Sequence, residues 1–241
     1  MKRKENVRRV FLCVFVSVFV LAGMANAGII VPTIVSEANT NPYSTATTAA
    51  LNDNSGMTPA VNAGDSLASA VAATHVFGGV WESWVTNAAA PDYFATSPAP
   101  EIVWDLTGGG DSDVGTVILW QYQNDGGGTG RVGNHAKTIE LQFNTEAEGA
   151  AAFAGVVSTI EMEPVMDDIN AAQAFALSGE EARYVLMKVT DNHFESPDII
   201  AGGDRVGLGE VRFATEIIPE PATMALLGTG FLALIRRRRL N

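Results

Sequence analysis

Ala182-Arg183-Tyr184-Val185-Leu186-Met187-Lys188-Val189-Thr190-Asp191-Asn192 places apolar side chains at every second position, Val185, Met187 and Val189. Successive strand residues point to opposite faces, so this spacing predicts a strand with one face against a core. The same period recurs outward from it. Val211 and Phe213 follow it, and Ile139, Leu141 and Phe143 alternate with Glu140 and Gln142 before it. Further upstream lie Ile102, Trp104 and Leu106, then Val117, Leu119 and Gln121. Gly108-Gly109-Gly110-Asp111 and Asp125-Gly126-Gly127-Gly128 are predicted loops on either side of a strand over Thr116–Tyr122. Short alternating strands between glycine-rich turns are the pattern of an all-β sandwich or barrel. Trp104 and Trp120 are expected in the core or half-buried on their strands. Glu146–Ile160 is open between helix and loop, since its alanines permit a helix and Gly149 and Gly155 weaken one. The Ala/Thr/Ser/Asn-rich Ala38–Thr74 is expected to be mostly loop.

The two ends of the chain carry different signals. Residues 1–27 combine a basic start (Lys2, Arg3, Lys4, Arg8, Arg9), an apolar run from Val10 to Ala22, and Ala25-Asn26-Ala27. That is a secretory signal peptide with an A-x-A cleavage site, and cleavage after Ala27 makes Gly28 the first mature residue. Leu21-Ala22-Gly23-Met24 has methionine where lipoprotein processing needs cysteine. The single cysteine, Cys13, leaves with the signal, so the mature chain is expected to hold together without disulfides.

Residues 219–241 begin with Pro219-Glu220-Pro221, continue through apolar Ala222–Ile235, and reach Arg236, Arg237, Arg238 and Arg239. As a helix the apolar run is roughly 21 Å long at 1.5 Å per residue. A bilayer core is about 30 Å thick, so this is a short transmembrane helix with its arginines on the cytoplasmic side. The order of parts resembles the PEP-CTERM signal, the tag of proteins sorted by bacterial exosortases. The resemblance implies Sec export, transient anchoring in the inner membrane, and removal of the tail by an exosortase at the cell surface.

Between the two signals, residues 28–218 hold 6 basic and 25 acidic residues, a formal charge of −19. Nucleic acid is excluded as a partner, because phosphate contacts need clustered Lys and Arg. Anionic lipid is disfavoured on the same ground. About 190 residues make one domain by length. Catalytic patterns are missing from the sequence. His75, His135 and His193 lack metal-ligand spacing, and neither G-x-S-x-G nor H-E-x-x-H occurs. Gly128–Gly133 spells G-x-G-x-x-G, but without the βαβ alternation that gives the motif its meaning. Asp111-Ser112-Asp113 lacks the length and terminal glutamate of an EF-hand loop.

A second resemblance rests on Ala182–Asn192 followed by Val206-Gly207-Leu208-Gly209-Glu210-Val211-Arg212-Phe213. Leu51-Asn52-Asp53-Asn54-Ser55-Gly56, Trp81-Glu82-Ser83-Trp84 and Ile102-Val103-Trp104-Asp105-Leu106 precede them in the expected order. Together these are similar to discoidin-type (coagulation factor 5/8 C-type) domains, over Ser36–Ala214. The resemblance implies a galactose-binding-like jelly roll, non-catalytic, that binds glycans, proteins or lipid heads through loops at one end. It also implies a structural Ca²⁺ held by Asp53 and Glu210, where the residues alone equally suit an Asx-rich turn. The candidate contacts for an extracellular polysaccharide are Trp81, Trp84, Arg131 and His135, with a place in the core as the alternative for the two tryptophans, the commoner one in sandwiches. A surface protein that binds glycan, a matrix component without a discrete ligand, and a glycan-acting enzyme are the three readings this leaves.

Overall fold

The computed structural model describes residues 28–76, 82–89, 92–122, 129–166, 170–194, 203–215 and 217. The signal peptide, the sorting tail and Trp81 lie outside the described residues. In chain order the elements are β1 (Ile29–Ile30), β2 (Thr33–Ala38), β3 (Met57–Thr58), α1 (Leu67–Ala72), β4 (Thr74–His75), β5 (Trp84–Val85), α2 (Tyr93–Thr96), β6 (Glu101–Asp105), β7 (Ser112–Gln121), β8 (Ala136–Asn144), β9 (Ser158–Glu161), β10 (Asn170–Ala171), β11 (Gln173–Ala182), β12 (Tyr184–Asn192) and β13 (Gly207–Ala214). Among the described residues no helix is long and apolar enough to cross a membrane.

The alternation that predicted β12 is realised in its burial. Val185, Met187 and Val189 are buried while Tyr184, Leu186 and Lys188 are half-buried. β12 pairs antiparallel with β6 on one side and β8 on the other, within a sheet ordered β2-β6-β12-β8-β9. The facing sheet is ordered β1-β13-β7-β11, with β5 also on β13. Ile102, Trp104, Leu141, Val185 and Met187 meet Val117, Leu119, Val211 and Phe213 between the sheets in one hydrophobic core. The architecture is an all-β sandwich.

Strands β7 and β13 depart from simple alternation, because both of their faces are covered. Val117 and Leu119 enter the inter-sheet core, while Ile118 and Trp120 pack on a second cluster with Met57, Val61, Leu67, Ala70 and Ala73. Most of this second layer comes from the segment expected to be mostly loop, with β10 joining it from later in the chain. It contains a 3-10 turn over Thr48–Leu51, the small sheet β10-β4-β3, and α1. Leu67 and Ala70, three residues apart, put one helix face on the sheet, and the Ser66 side chain caps the helix by accepting from Ser69 N at 3.2 Å.

The open question over Glu146–Ile160 resolves against a helix. Thr145 N and Oγ1 both donate to Glu148 Oε2, at 2.7 and 2.8 Å, which closes a tight turn. The chain then runs without regular structure to β9.

Candidate functional site

Antiparallel register puts two poles on the sandwich. Ala38 faces Glu101, Asn192 faces Ala136, and Leu208 faces Gln121, so the connections after β2, β7 and β12 gather at one pole. At the other pole Ile29 pairs with Ala214. There Gly28 N donates to Thr215 Oγ1 at 3.2 Å, and Thr215 N to Gly28 O at 3.3 Å. Gly28 and Thr215, the latter three positions before the sorting motif, are therefore neighbours at the pole opposite these connections.

The loop pole is tied together by hydrogen bonds from buried side chains. Asp204, 6% exposed, accepts from Tyr93 N at 2.7 Å and from Asn192 Nδ2 at 3.1 Å. Val206 N donates to Thr86 Oγ1 at 3.0 Å, and Arg205 Nη1 to Thr86 O at 3.1 Å. Thus clamped, Arg205 lays its guanidinium over the exposed Tyr43 ring, 4.1 Å from the centroid. Beside them Asn87 Nδ2 donates to Asn41 O, Asn41 Oδ1 and Pro42 O at 3.2–3.3 Å. The backbone of Asn39 and Asn41 lies at positive φ, which asparagine tolerates better than most residues. An aromatic ring, a guanidinium and amides meet here at the surface. Sequence reasoning missed them, although Asn39-Thr40-Asn41-Pro42 carries a turn signal.

The residues expected to form a ligand surface are placed otherwise. Trp84 is fully buried, with Nε1 donating to Thr40 O at 3.3 Å, so its ring has no free face. His135 is 3% exposed and its Nδ1 accepts from Val165 N at 3.3 Å. Both are core residues in place of the surface contacts expected of them, because the Trp84 ring belongs to the inter-sheet core and His135 lies under the loop pole. Arg131 lies on a 3-10 turn, Thr129–Asn134, leading into β8. His193 N donates to His135 O at 3.1 Å, and burial together with the nearby His193 holds His135 down to about 3. Burial lowers His193 and His75 as well, so all three imidazoles favour the neutral form.

Asp53 and Glu210 are brought together, 157 residues apart in sequence. Asn54 N donates to Glu210 Oε1 at 3.3 Å, and Glu210 is fully buried. Arg212, also fully buried, pairs through Nη1 with the same oxygen. Its other donors reach Asn54 Oδ1 at 2.9 Å, Val61 O at 3.1 Å and Val211 O at 2.8 Å. Glu210 Oε2 has no hydrogen-bond partner. Burial, with a smaller contribution from the charge on Asp53, pushes the Glu210 carboxyl up to about 7 despite Arg212. Asp53 Oδ1 closes an Asx turn by accepting from Ser55 N at 2.7 Å, so the turn expected as the alternative is also present. Among the described residues no group of three or more His, Cys, Asp or Glu side chains converges. The unpartnered oxygen and the Asp53 charge are nonetheless what a hard divalent cation between the two carboxylates would satisfy. Asp53 and Glu210 are the two side chains such an ion would use, although Arg212 already pairs with Glu210.

Glycine at 209 is required by this packing. A side chain there would meet Gln121 O at 2.5 Å and the His75 ring at 3.2 Å. His75 Nε2 in turn donates to Glu82 O at 2.9 Å, joining the second layer to the segment before β5.

Comparison with known families finds the PEP-CTERM protein-sorting motif over residues 218–239. The chain therefore carries that sorting motif at its C-terminal end. No curated protein matches the chain. Among solved structures it is similar to the third family 32 carbohydrate-binding module of a family 31 glycoside hydrolase from Clostridium perfringens. That match has 11% identity, 77% of this chain and 92% of the other covered, and a TM-score of 0.45. The family 32 module of Streptococcus pneumoniae EndoD matches at 9% identity over 77% of this chain and 97% of its own, with a TM-score of 0.43. The family 32 module of C. perfringens NanJ, in complex with galactose, matches at 11% over 78% of this chain and 99% of its own, with a TM-score of 0.39.

Proposed function

We propose that this chain is an exported, exosortase-processed protein of the cell surface or extracellular matrix that binds glycan without catalysis. The observation that carries the reading is the Tyr43–Arg205 stack beside Asn41 and Asn87, at the pole opposite the tail. Sugar sites pair an apolar face with a few convergent polar groups, and a clamped arginine offers fixed donors for ring hydroxyls. The placement suits a tethered precursor. Thr215 lies at the far pole beside Gly28, so a membrane attached through residues 219–241 leaves the loop pole facing outward. Pro219-Glu220-Pro221 is the segment the exosortase grips, and Arg236–Arg239 hold the short helix in the inner membrane until cleavage. A structural Ca²⁺ at Asp53 and Glu210 would tighten the second layer against β13.

The test is binding of the mature chain, from Gly28, to a glycan array, repeated with Tyr43→Ala and Arg205→Ala. At least one glycan class bound by the parent and lost by both variants is the expected result. An array left blank by the parent would favour the matrix component without a ligand, and turnover of any bound polysaccharide would favour the enzyme.

A further inference from the structure

The outer face of the β2-β6-β12-β8-β9 sheet, turned away from the core, is roofed on one side by the irregular chain that follows β8. Asn144 Nδ2 donates to Gly149 O at 2.8 Å and Ala152 O at 2.7 Å, and Gln142 Nε2 donates to Gly155 O at 3.1 Å. Two side chains of β8 thus pin this segment as a fixed wall standing over the sheet. Between the wall and the edge of β2 lies a half-open cavity of about 310 Å³. Val103 and Leu186, cross-strand partners on β6 and β12, line it, with Phe153 of the wall and Ser36 of β2. The charged residues lining it are Glu37 and Glu101, and no basic residue lines it. Glu101 shares Lys188 Nζ at 3.3 Å, which keeps the carboxylate in place.

We propose that this groove is a second glycan subsite, taking one residue from within a chain of neutral or amino sugars. Three features select that occupant. The volume is at the lower end of the range for small-molecule sites, enough for a single pyranose and its linkages. Val103, Leu186 and the Phe153 ring present an apolar surface to the C–H face of a sugar, and the carboxylates accept from hydroxyls or from an ammonium. Phosphate, sulfate and uronate are rejected, because they would bring anions to an acid-lined groove on a domain of formal charge −19. Being open along one side, the groove admits a chain that continues past it. This site rests on the glycan-binding reading for its ligand class but shares no residue with the Tyr43–Arg205 surface.

The experiment uses the mature chain and three hexasaccharide probes: cellohexaose (neutral), chitosan hexamer (cationic) and alginate hexamer (anionic). Binding is followed by calorimetry and by methyl shifts of Val103 and Leu186. The expected result is binding of the neutral or the cationic probe but not the anionic one, with both methyls shifting. Phe153→Ala, and the obstructing Ala151→Trp on the exposed wall, should each weaken that binding at least tenfold with an unchanged melting temperature. Tyr43→Ala should leave the methyl shifts intact. Binding abolished by Tyr43→Ala but indifferent to both wall variants overturns the groove and upholds the loop pole. The converse pattern overturns the loop pole and upholds the groove. Binding of the alginate hexamer with shifted methyls, or of no probe at all, overturns the groove outright.

Discussion

Arg212 and Glu210 form an ion pair on β13 with neither side chain reaching water. They lie two residues apart on the face that meets the second layer, whereas Val211 and Phe213 on the other face enter the inter-sheet core. The pair gains further support from Asn54 Oδ1 and Val61 O, acceptors on either side of β3. Removing one partner of such a pair costs about 3–5 kcal/mol, because a buried charge is left behind.

The two single substitutions should not be equal. Glu210→Leu strands a guanidinium that cannot shed its proton, so the full penalty is expected. Arg212→Met leaves a carboxyl already pushed up to about 7, which neutralises by protonation. Urea unfolding should show a smaller loss for Arg212→Met. The double variant should be more stable than Glu210→Leu alone. Equal and additive losses would show that the two side chains do not act as a pair.

The raised Glu210 also sets a pH dependence. Its folded value of about 7 lies above the ordinary 4.5, so the folded state holds a proton that the unfolded state has released. The contribution is fully present below the ordinary value and is lost as pH rises towards 7, by up to about 3 kcal/mol. Ca²⁺ bound at Asp53 and Glu210 would favour the ionised carboxylate and flatten this slope, while raising the melting temperature by linkage. Asp53→Ala or Glu210→Gln should abolish the rise. Identical melting curves with calcium and with chelator would leave Asp53 as a turn residue alone.

His135 acts with the opposite sign. Held down to about 3 against an ordinary 6.5, it stays neutral in the fold while the unfolded chain takes up a proton. Its contribution is present above the ordinary value and is lost as pH falls through the interval. His135→Gln should cost stability near neutrality yet weaken the decline between those limits, as read from melting temperatures across the series. An unchanged acid slope would place that decline elsewhere.

The core strands were legible because one face of each meets the opposite sheet, and period two survives in Val185, Met187 and Val189. What the alternation concealed was the second layer packed on the outer face of β7 and β13. Ile118, Trp120, Glu210 and Arg212 occupy positions a two-layer sandwich would give to water, yet all are buried, since the segment before β4 folds over them. Its short elements, two to six residues long, leave too few periods to read. The pairing of Asp53 with Glu210 came from the family resemblance, and the fold sets the turn that carries Asp53 against Glu210 through Asn54 N. Of the four candidate contacts, Trp84 and His135 were placed at the surface by their position beside turns, where packing instead buries them. Trp84 and His135 are buried in strands and turns, while Tyr43 is an exposed ring among the described residues of the loop pole.

That difference gives a direct test by stability. Trp84→Ala removes a fully buried ring, and a loss of about 3–5 kcal/mol is expected. Tyr43→Ala and Arg205→Ala act at the surface and should shift the unfolding midpoint far less while reducing glycan binding. Should Tyr43→Ala unfold the chain as readily as Trp84→Ala, the stack at the loop pole is structural and carries no ligand.

Sorting can be followed without knowing the ligand. Prolines at 219 and 221 disfavour helix and strand around Glu220, the sequence basis for expecting a segment that a protease can grip. The apolar run behind it is short for a bilayer, which suits an anchor meant to be removed. In a host with an exosortase, mass spectrometry of surface-extracted protein should begin at Gly28 and lack Arg236–Arg239. Glu220→Ala removes the acid between the prolines, so this variant should accumulate as precursor in the inner-membrane fraction with its arginines intact. Its domain should melt as the parent does, because the sandwich closes on itself at Gly28 and Thr215, before the tail begins. A parent protein recovered from the surface with all four arginines would mean that this tail anchors and is not cut.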